Sequence, residues 1–210
     1  MKIFITGIST HVGKSIAAAI VVEALEADYW KPIQAGDLEN SDSQLVEKLI
    51  SNTKTKIHPN SYALKTAVSP HLAAQIENIV IQANHIQIPK TFNHLVIEGA
   101  GGVFVPINDT EMIVDLIQND FRVIIVSRHY LGSINHTLLT IEALQLRNIN
   151  IAGIIFSGNK NPASESIILE KSKLKMIGRI EEEPFFEQKT IAKYANIFKK
   201  NLSHLINSNF

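Results

Sequence analysis

Residues 7–15 read Gly-Ile-Ser-Thr-His-Val-Gly-Lys-Ser and lie between a short apolar run, Ile3 to Thr6, and a segment rich in Ala, Leu and Glu, Ser15 to Ala27. The stretch is a variant of the phosphate-binding pattern G-x-x-x-x-G-K-[ST], with five residues between its glycines. In this strand–loop–helix setting, backbone N–H groups point at phosphate oxygens and the helix N-terminus adds a partial positive charge. We therefore predict a nucleotide site here; the alternative is a glycine turn that binds nothing.

Two side chains of this loop carry specific chemistry. Lys14 can reach the β- and γ-phosphates of ATP, and the hydroxyl of Ser15 can ligate Mg²⁺. The residues predicted to contact the nucleotide from the loop and the helix start are Thr10, His11, Val12, Gly13, Lys14, Ser15 and Ile16.

Two carboxylates stand where ligands for Mg²⁺ are expected, since this ion prefers oxygen ligands with one or two carboxylates among them. Glu98 ends the predicted strand that starts at His94, an arrangement typical of the Walker B acid with Glu in place of Asp. Asp42 comes just before a predicted helix, where it is either a metal ligand or a helix cap. The predicted metal ligands are Ser15, Asp42 and Glu98, and the further nucleotide contacts are Gly99, Ala100 and Gly101.

Lys31 lies at the end of the second predicted strand, Tyr29 to Ile33. Pro32 makes the backbone rigid here and Gly36 allows a sharp bend, which favours an ammonium group held over the pocket. The alternative is a surface lysine at a strand end.

Short apolar runs alternate with helical patterns along the chain. Strands separated by helices imply right-handed crossovers and a mainly parallel sheet with helices on both faces. We predict an α/β fold of the P-loop NTPase type, with one domain spanning residues 1–210. The other predicted strands are Leu95 to Ile97, Arg122 to Ser127, Ile151 to Phe156 and, at an edge, Met176 to Ile180. The other predicted helices are Asp42 to Ile50 and Ile134 to Leu146.

The composition limits the expected partners. Twenty basic and twenty acidic residues give zero net charge, so we expect neither nucleic acid nor a membrane as a partner. The chain has no cysteine, which excludes thiolate nucleophiles and Cys-ligated zinc. It shows neither a signal-peptide pattern nor an apolar run of membrane-spanning length, so we expect a cytoplasmic protein.

Six segments, taken in order, resemble the dethiobiotin synthetase family. They are the phosphate loop with its longer glycine spacing, Lys31 to Gly36, Asn40 to Asp42, Ser69 to Ala74, Val96 to Val103, and Leu131 to His136. Each segment alone is a weak signal, but the ordered set, from residue 7 to residue 136, is specific.

The resemblance implies ATP- and Mg²⁺-dependent closure of the ureido ring of dethiobiotin from 7,8-diaminopelargonic acid and CO2. A carbamate on one amine attacks the γ-phosphorus of ATP to give a carbamic–phosphoric anhydride, and the second amine closes the ring. By the same resemblance Lys14 and Lys31 are catalytic, because they stabilise charge around the carbamate and the transferring phosphoryl group.

The resemblance also implies a homodimer in which the second subunit receives the carboxylate tail of the substrate. The receiving segment begins at Gly132 and opens a helix, so its N–H groups suit an anion. The predicted substrate contacts are Thr10, Ala35, Gly132, Ser133 and Asn135.

Four positions depart from the family pattern. Ala35 lacks the usual hydroxyl, and His11 replaces an acidic or small residue. Ser157 stands where the adenine site usually has Asn, and Asn159 is a candidate substitute. Glu181 replaces the proline of an Ile-Pro pair, so two of the four departures, Ser157 and Glu181, concern base recognition.

Two rival functions are less consistent with the residues. Partition-type ATPases, which act as dimerising switches, carry an extra lysine near the start of the loop, where this chain has Ile8 and Ser9. Amidotransferase synthetases need a cysteine nucleophile, which this chain lacks.

The C-terminal segment has a basic amphipathic pattern. Its apolar residues at helical spacing are Ile191, Tyr194, Phe198, Leu202 and Leu205. We expect a helix docked on the sheet with its lysines in water; the alternative is a helix lying on a membrane.

Overall fold

The computed structural model describes residues 1–207, with side-chain surroundings up to residue 204. Its main element is a sheet of seven strands in the order β4-β2-β6-β1-β7-β8-β9, and every strand pair in it is parallel. The strands of this sheet are β1 Lys2–Gly7, β2 Asp28–Trp30, β4 Ile57–His58, β6 Leu95–Gly102, β7 Phe121–Arg128, β8 Ile151–Ser157 and β9 Met176–Ile180. The predicted fold class is confirmed.

Within residues 1–207, six α-helices connect and cover the strands. They are α1 Lys14–Leu25, α2 Asp42–Leu49, α3 Pro70–Ile76, α4 Ser133–Gln145, α5 Pro162–Ser172 and α6 Gln188–Asn207. The crossovers from β1 to β2 and from β7 to β8 run in opposite directions along the sheet, so right-handed connections place α1 and α4 on opposite faces. Helix α6 packs on α1, and α5 packs on α4.

The phosphate loop is positioned by the central strand of the sheet. β1 pairs with β6 on one side and with β7 on the other, and Ile3, Phe4 and Ile5 are fully buried. Such a continuous apolar run is typical of a parallel strand covered on both faces. The run of alanines at 17–19 in α1 is also fully buried, and small side chains let this helix approach the sheet closely. The loop between β1 and α1 is therefore held from both ends.

The predicted second strand, Tyr29 to Ile33, is wrong in its C-terminal part. β2 ends at Trp30, and the chain leaves the main sheet at Lys31 and Pro32, because proline has no N–H to continue the ladder. Strand β3, Ile33–Ala35, instead pairs with β5, Tyr62–Leu64, in a separate two-stranded parallel sheet.

The other predicted helices and strands are found, with one further difference at β6. The strand was predicted from Leu95 to Ile97, but it continues through Glu98 to Gly102. The edge position of Met176 to Ile180 is confirmed as β9. Helices α3 and α5 and the short strands β4 and β5 were not predicted.

Helix α6 docks on α1 and β9, as expected for the C-terminal segment. Ile191, Tyr194, Phe198 and Leu202 are buried, whereas the side chain of Leu205 lies outside the described residues. Within residues 1–207, no helix has the length and apolar character needed to cross a bilayer.

Candidate active site

The site lies at the carboxyl ends of β1, β2 and β6, where three loops meet. Gly13 is the residue before α1 and has a left-handed backbone (φ 91°). The helix begins directly after it, at Lys14, and the backbone N–H of Ala17 donates to the Gly13 carbonyl. The predicted strand–loop–helix context of the phosphate loop is thus present, with the helix N-terminus facing the site.

Four charged side chains from four segments meet beside this loop: Lys14, Lys31, Asp42 and Glu98. Lys31 Nζ contacts Asp42 Oδ2 and lies 3.3 Å from Glu98 Oε1. Ser15 Oγ lies 2.5 Å from Asp42 Oδ1 and 2.9 Å from Glu98 Oε1. Lys14 donates to the carbonyl of Ser9 at 3.0 Å. The sequence-predicted catalytic and metal residues therefore form one cluster, and Lys31 is buried (6% exposed), not on the surface.

The two lysines respond differently to this shared environment. Burial lowers the pKa of Lys14 to about 8, although Glu98 acts in the opposite direction. Burial also acts to lower the pKa of Lys31, but the charges of Glu98 and Asp42 outweigh it, so this pKa is raised. Burial acts to raise the pKa of Asp42, but the interaction with Lys31 outweighs this effect, so the pKa of Asp42 is lowered. Lys31 and Asp42 thus keep each other charged.

Asp42 is the first residue of α2, but its side chain does not cap that helix. Ser41 is the cap: its hydroxyl accepts from the Gln44 N–H at 3.3 Å, and the Ser41 N–H donates to the Gln44 side chain at 2.8 Å. The cap leaves the Asp42 carboxylate available to Ser15 and Lys31. Of its two sequence-based interpretations, the site geometry favours the one that places Asp42 in the site.

The oxygen atoms of Ser15, Asp42 and Glu98 suit a magnesium ion. Both carboxylates lie within hydrogen-bonding distance of one hydroxyl, so the three groups face a common point next to the phosphate loop. Carboxylate and hydroxyl oxygens are the ligands that Mg²⁺ prefers, with phosphate and water completing its shell.

A further residue of the site, Tyr29, was missed by the sequence reasoning. Its side chain is fully buried in β2, and its hydroxyl donates to Glu98 Oε2 at 2.8 Å. Burial and the charge of Glu98 raise its pKa well above the ordinary value. A signal was present, since Tyr29 and Lys31 are two residues apart and therefore lie on the same side of an extended segment.

The remaining residues predicted to contact the nucleotide lie around the loop. Thr10 and His11 are exposed at its tip, where His11 has a left-handed backbone (φ 54°). The side chain of Val12 is buried (1% exposed), so only its backbone can face a phosphate. A Cβ on Gly101 would lie 3.7 Å from Thr10 Cγ2, which places the end of β6 beside the loop tip. Gly99 is buried, and Ile16, Ala100 and Ala35 are half-buried.

The residues predicted for the base lie at the end of β8. Ser157 is buried against the phosphate loop, because a Cβ on Gly13 would lie 3.0 Å from Ser157 Oγ. Asn159 follows it and is exposed. Arg128 pairs with Glu182 at 2.6 Å, beside Gly158.

The residues predicted for the substrate tail form the start of α4. Gly132 has a left-handed backbone (φ 100°), Ser133 is buried and Asn135 is exposed. Among residues 1–204, no hydrogen bond or ion pair found in the structure joins them to the charged cluster.

An apolar cleft of about 680 Å³ lies next to Ser9 and Thr10. One wall is the segment from Gly102 to Pro106 and the other is α4. The guanidinium of Arg147 lies 4.8 Å from the ring centre of Phe104 at this cleft. The phosphate loop thus borders an open apolar surface.

The chain matches a known family model and has a fold similar to that of known ATPases. A family model described as an AAA domain matches residues 1–190. A ParA family ATPase from Chlorobium tepidum has a similar structure, with a TM-score of 0.59, 14% identity and coverage of 92% of this chain and 97% of that one. The cell division ATPase MinD of Pyrococcus furiosus gives a TM-score of 0.60 at 11% identity, covering 98% and 100%. At these identities the likeness concerns the fold alone.

Proteins with similar sequences share a much higher identity with this chain than these structures do. The ATP-dependent dethiobiotin synthetase BioD of Christiangramia forsetii is 56% identical over 202 residues, which cover 96% of this chain and 98% of that protein. The protein of the same name from Cytophaga hutchinsonii is 50% identical over 92% and 95%, and that from Chlamydia pneumoniae is 43% identical over 95% and 90%. This chain therefore belongs to the ATP-dependent dethiobiotin synthetases, the ligases that make dethiobiotin in biotin biosynthesis.

Proposed function

We propose that this chain, in the cytoplasm, closes the ureido ring of dethiobiotin from 7,8-diaminopelargonic acid and CO2 at the charged cluster beside its phosphate loop. The observation that carries the proposal is the position of Lys31, buried between Asp42 and Glu98 and 3.3 Å from the latter. Lys14 of the loop is needed to bind ATP. Lys31 is a second buried cation, at the end of another strand, and supplies positive charge for the other reactant, the carbamate.

In the proposed sequence, an amine of the substrate adds to CO2 and loses a proton, which gives a carbamate. A carbamate oxygen attacks the γ-phosphorus of ATP, and ADP leaves. The second amine then attacks the carbamoyl carbon of the mixed anhydride, which closes the ring and expels phosphate. Lys14 holds the β- and γ-phosphates, and Lys31 stabilises negative charge on the carbamate and the transferring group.

Mg²⁺ would neutralise the charge that develops between the β- and γ-phosphates during transfer. We propose Ser15, Asp42 and Glu98 as the residues that hold it. The Ser15 hydroxyl would present a lone pair to the metal, so its hydrogen would have to turn away from one of the carboxylates that it now contacts at 2.5 and 2.9 Å. Asp42 and Glu98 would supply its anionic oxygen ligands.

We also propose that the chain works as a homodimer through the apolar cleft and the exposed face of α4. Phe104 is 48% exposed, Leu139 54% and Leu146 76%, and Leu131 before the helix is fully exposed. Exposed large apolar side chains, three of which line one cleft, are typical of a protein–protein interface. Such an interface would bring the helix start at Gly132–Asn135 of one subunit to the phosphate loop of the other, where its N–H groups could bind the carboxylate tail.

The adenine is proposed to lie by Ser157 and Asn159, next to the loop glycine. Ser157 provides a hydroxyl at the contact with Gly13, and Asn159 is the exposed amide that could reach a base edge. This arrangement replaces the family asparagine by two polar residues.

The reaction is tested by supplying the purified chain with labelled bicarbonate, 7,8-diaminopelargonic acid, ATP and Mg²⁺. We expect an acid-stable labelled product and one phosphate released for each product formed. A matched analogue with a single amine can form the carbamate but cannot close the ring, so it should give no acid-stable label. Phosphate release without stable label from the diamine would contradict the proposal.

A further inference from the structure

The two carboxylate oxygens of Glu98 have different hydrogen-bond partners: one accepts from Tyr29, and the other accepts from residues of the charged cluster and the phosphate loop. The Tyr29 hydroxyl donates to Oε2 at 2.8 Å. Oε1 accepts hydrogen bonds from the Ser15 hydroxyl at 2.9 Å and from the Lys31 ammonium at 3.3 Å. The two oxygens of one carboxylate therefore have separate partners: Tyr29 in β2 at Oε2, and Ser15 in α1 and Lys31 just after β2 at Oε1.

The backbone fixes the distance between the two side chains. β2 pairs with β6 in parallel, with Tyr29 opposite Val96 and Trp30 opposite Ile97. The Tyr29 ring is fully buried, and Glu98 is 1% exposed, so neither side chain can turn into solvent. The remaining freedom is rotation of the carboxylate about its last bond, and the Tyr29 hydroxyl restricts that rotation.

We propose that Tyr29 is a positioning residue for the metal site, because it keeps Glu98 Oε1 turned toward Ser15. The inference rests on the proposed function through one assignment, that of Glu98 as a ligand of Mg²⁺. Groups that hydrogen-bond to metal-ligating side chains typically change metal affinity or activity by about ten- to hundred-fold when removed. Tyr29→Phe removes the hydroxyl and keeps the ring that fills the core.

The test measures how much Mg²⁺ strengthens nucleotide binding, without turnover. ADP affinity is measured by calorimetry with Mg²⁺ and again in EDTA, and the ratio of the two is compared between variants. We expect Tyr29→Phe to lower this ratio by about ten-fold or more. Tyr62→Phe is the matched control: its hydroxyl accepts from the Gln82 N–H at 3.3 Å, and Tyr62 lies in the small second sheet. Its ratio should stay at the native value.

The outcomes separate this inference from the metal assignment. If Glu98→Gln lowers the ratio and Tyr29→Phe does not, even with reduced thermal stability, the hydroxyl only stabilises the fold and the inference is wrong. If neither variant lowers the ratio, the assignment of Glu98 to the metal is wrong, and the role of Tyr29 fails with it.

A measurement on the native chain covers the case in which Tyr29→Phe does not fold. The chain has four tyrosines, so labelling the ring carbon that bears the hydroxyl gives four NMR signals. Single Phe substitutions at the other three tyrosines identify the Tyr29 signal by elimination. We expect this signal to shift when Mg²⁺ is added to the ADP complex; an unmoved signal would overturn the inference.

Discussion

Lys14 and Lys31 lie in the same cluster, but only one of them is balanced by direct contact with carboxylates. Lys31 touches both Asp42 and Glu98, which raises its pKa. Lys14 donates to a neutral carbonyl, and burial lowers its pKa to about 8. A phosphate arriving at the loop therefore meets one permanent cation and one whose charge depends on pH.

This difference predicts how nucleotide binding depends on pH. In the free protein Lys14 loses its proton near pH 8, whereas bound phosphates raise its pKa, so binding above pH 8 takes up a proton. The affinity for a non-hydrolysable ATP analogue should then fall by up to about ten-fold for each pH unit above 8. Titrations between pH 7 and pH 9.5 measure this slope.

Lys14→Arg is the control for the slope, because a guanidinium stays protonated throughout this range. Its affinity is expected to be weaker but nearly independent of pH. Parallel slopes for the native chain and Lys14→Arg would show that another group causes the dependence.

At the scale of elements, the sequence predicts the helices and strands that follow from a local pattern. It does not predict the short strands that form only by pairing with distant segments. The apolar run at Ile3–Ile5 and the Ala-rich segment after Lys14 determine β1 and α1 locally, and both were predicted. The two residues of β4 and the three of β5 carry too little pattern of their own, and they become strands by pairing with β2 and β3. Pro32 is a local signal for the end of β2, but the second sheet beyond it depends on partners some thirty residues away.

The candidate site shows the same division. The phosphate loop and Glu98 are recognisable from local sequence, the loop by its strand–loop–helix setting and Glu98 by its place at a strand end. Asp42 fits two roles in the sequence, and the structure shows that Ser41 is the cap. For Tyr29 the sequence predicts only a place in a strand, on the same side as Lys31; its hydrogen bond to Glu98, 69 positions away, is visible only in the structure.

The contact between β9 and α6 makes a prediction about stability. Gly178 lies under the ring of Phe198, and a Cβ there would be 2.1 Å from Phe198 Cε1. Phe198 is fully buried and cannot turn away, so Gly178→Ala should lower the free energy of unfolding by about 1–3 kcal/mol. Denaturant titration measures this change.

A smaller neighbour should relieve the clash. In a Phe198→Leu background, the same Gly178→Ala substitution is expected to cost less than in the native chain. An equal cost in both backgrounds would mean that the loss comes from the strand itself and not from its contact with α6.

At the scale of the whole molecule, the proposed homodimer divides each site between two chains. Lys31 would come from one chain, and Asn135 at the start of α4 from the other. Lys31→Ala and Asn135→Asp should therefore each inactivate the protein. In a mixed dimer one site collects both defects and the other collects neither.

Mixing the two inactive variants should restore up to about half of the sites in each heterodimer formed. The measurement is product formation after subunit exchange has been verified with labelled chains. No recovery after exchange, or a monomer in solution, would rule out the shared site.

The parallel pairing of β1 has a consequence for synthesis on the ribosome. Lys2 lies opposite Leu95 on one side and Phe121 on the other, so β1 is made about 90 to 120 residues before its partners. At roughly 5–20 residues per second, the strand that carries the phosphate loop waits several seconds or more before both neighbours exist. Until then its apolar residues lack the strands they pair with, so the nucleotide site can form only after β7 has emerged.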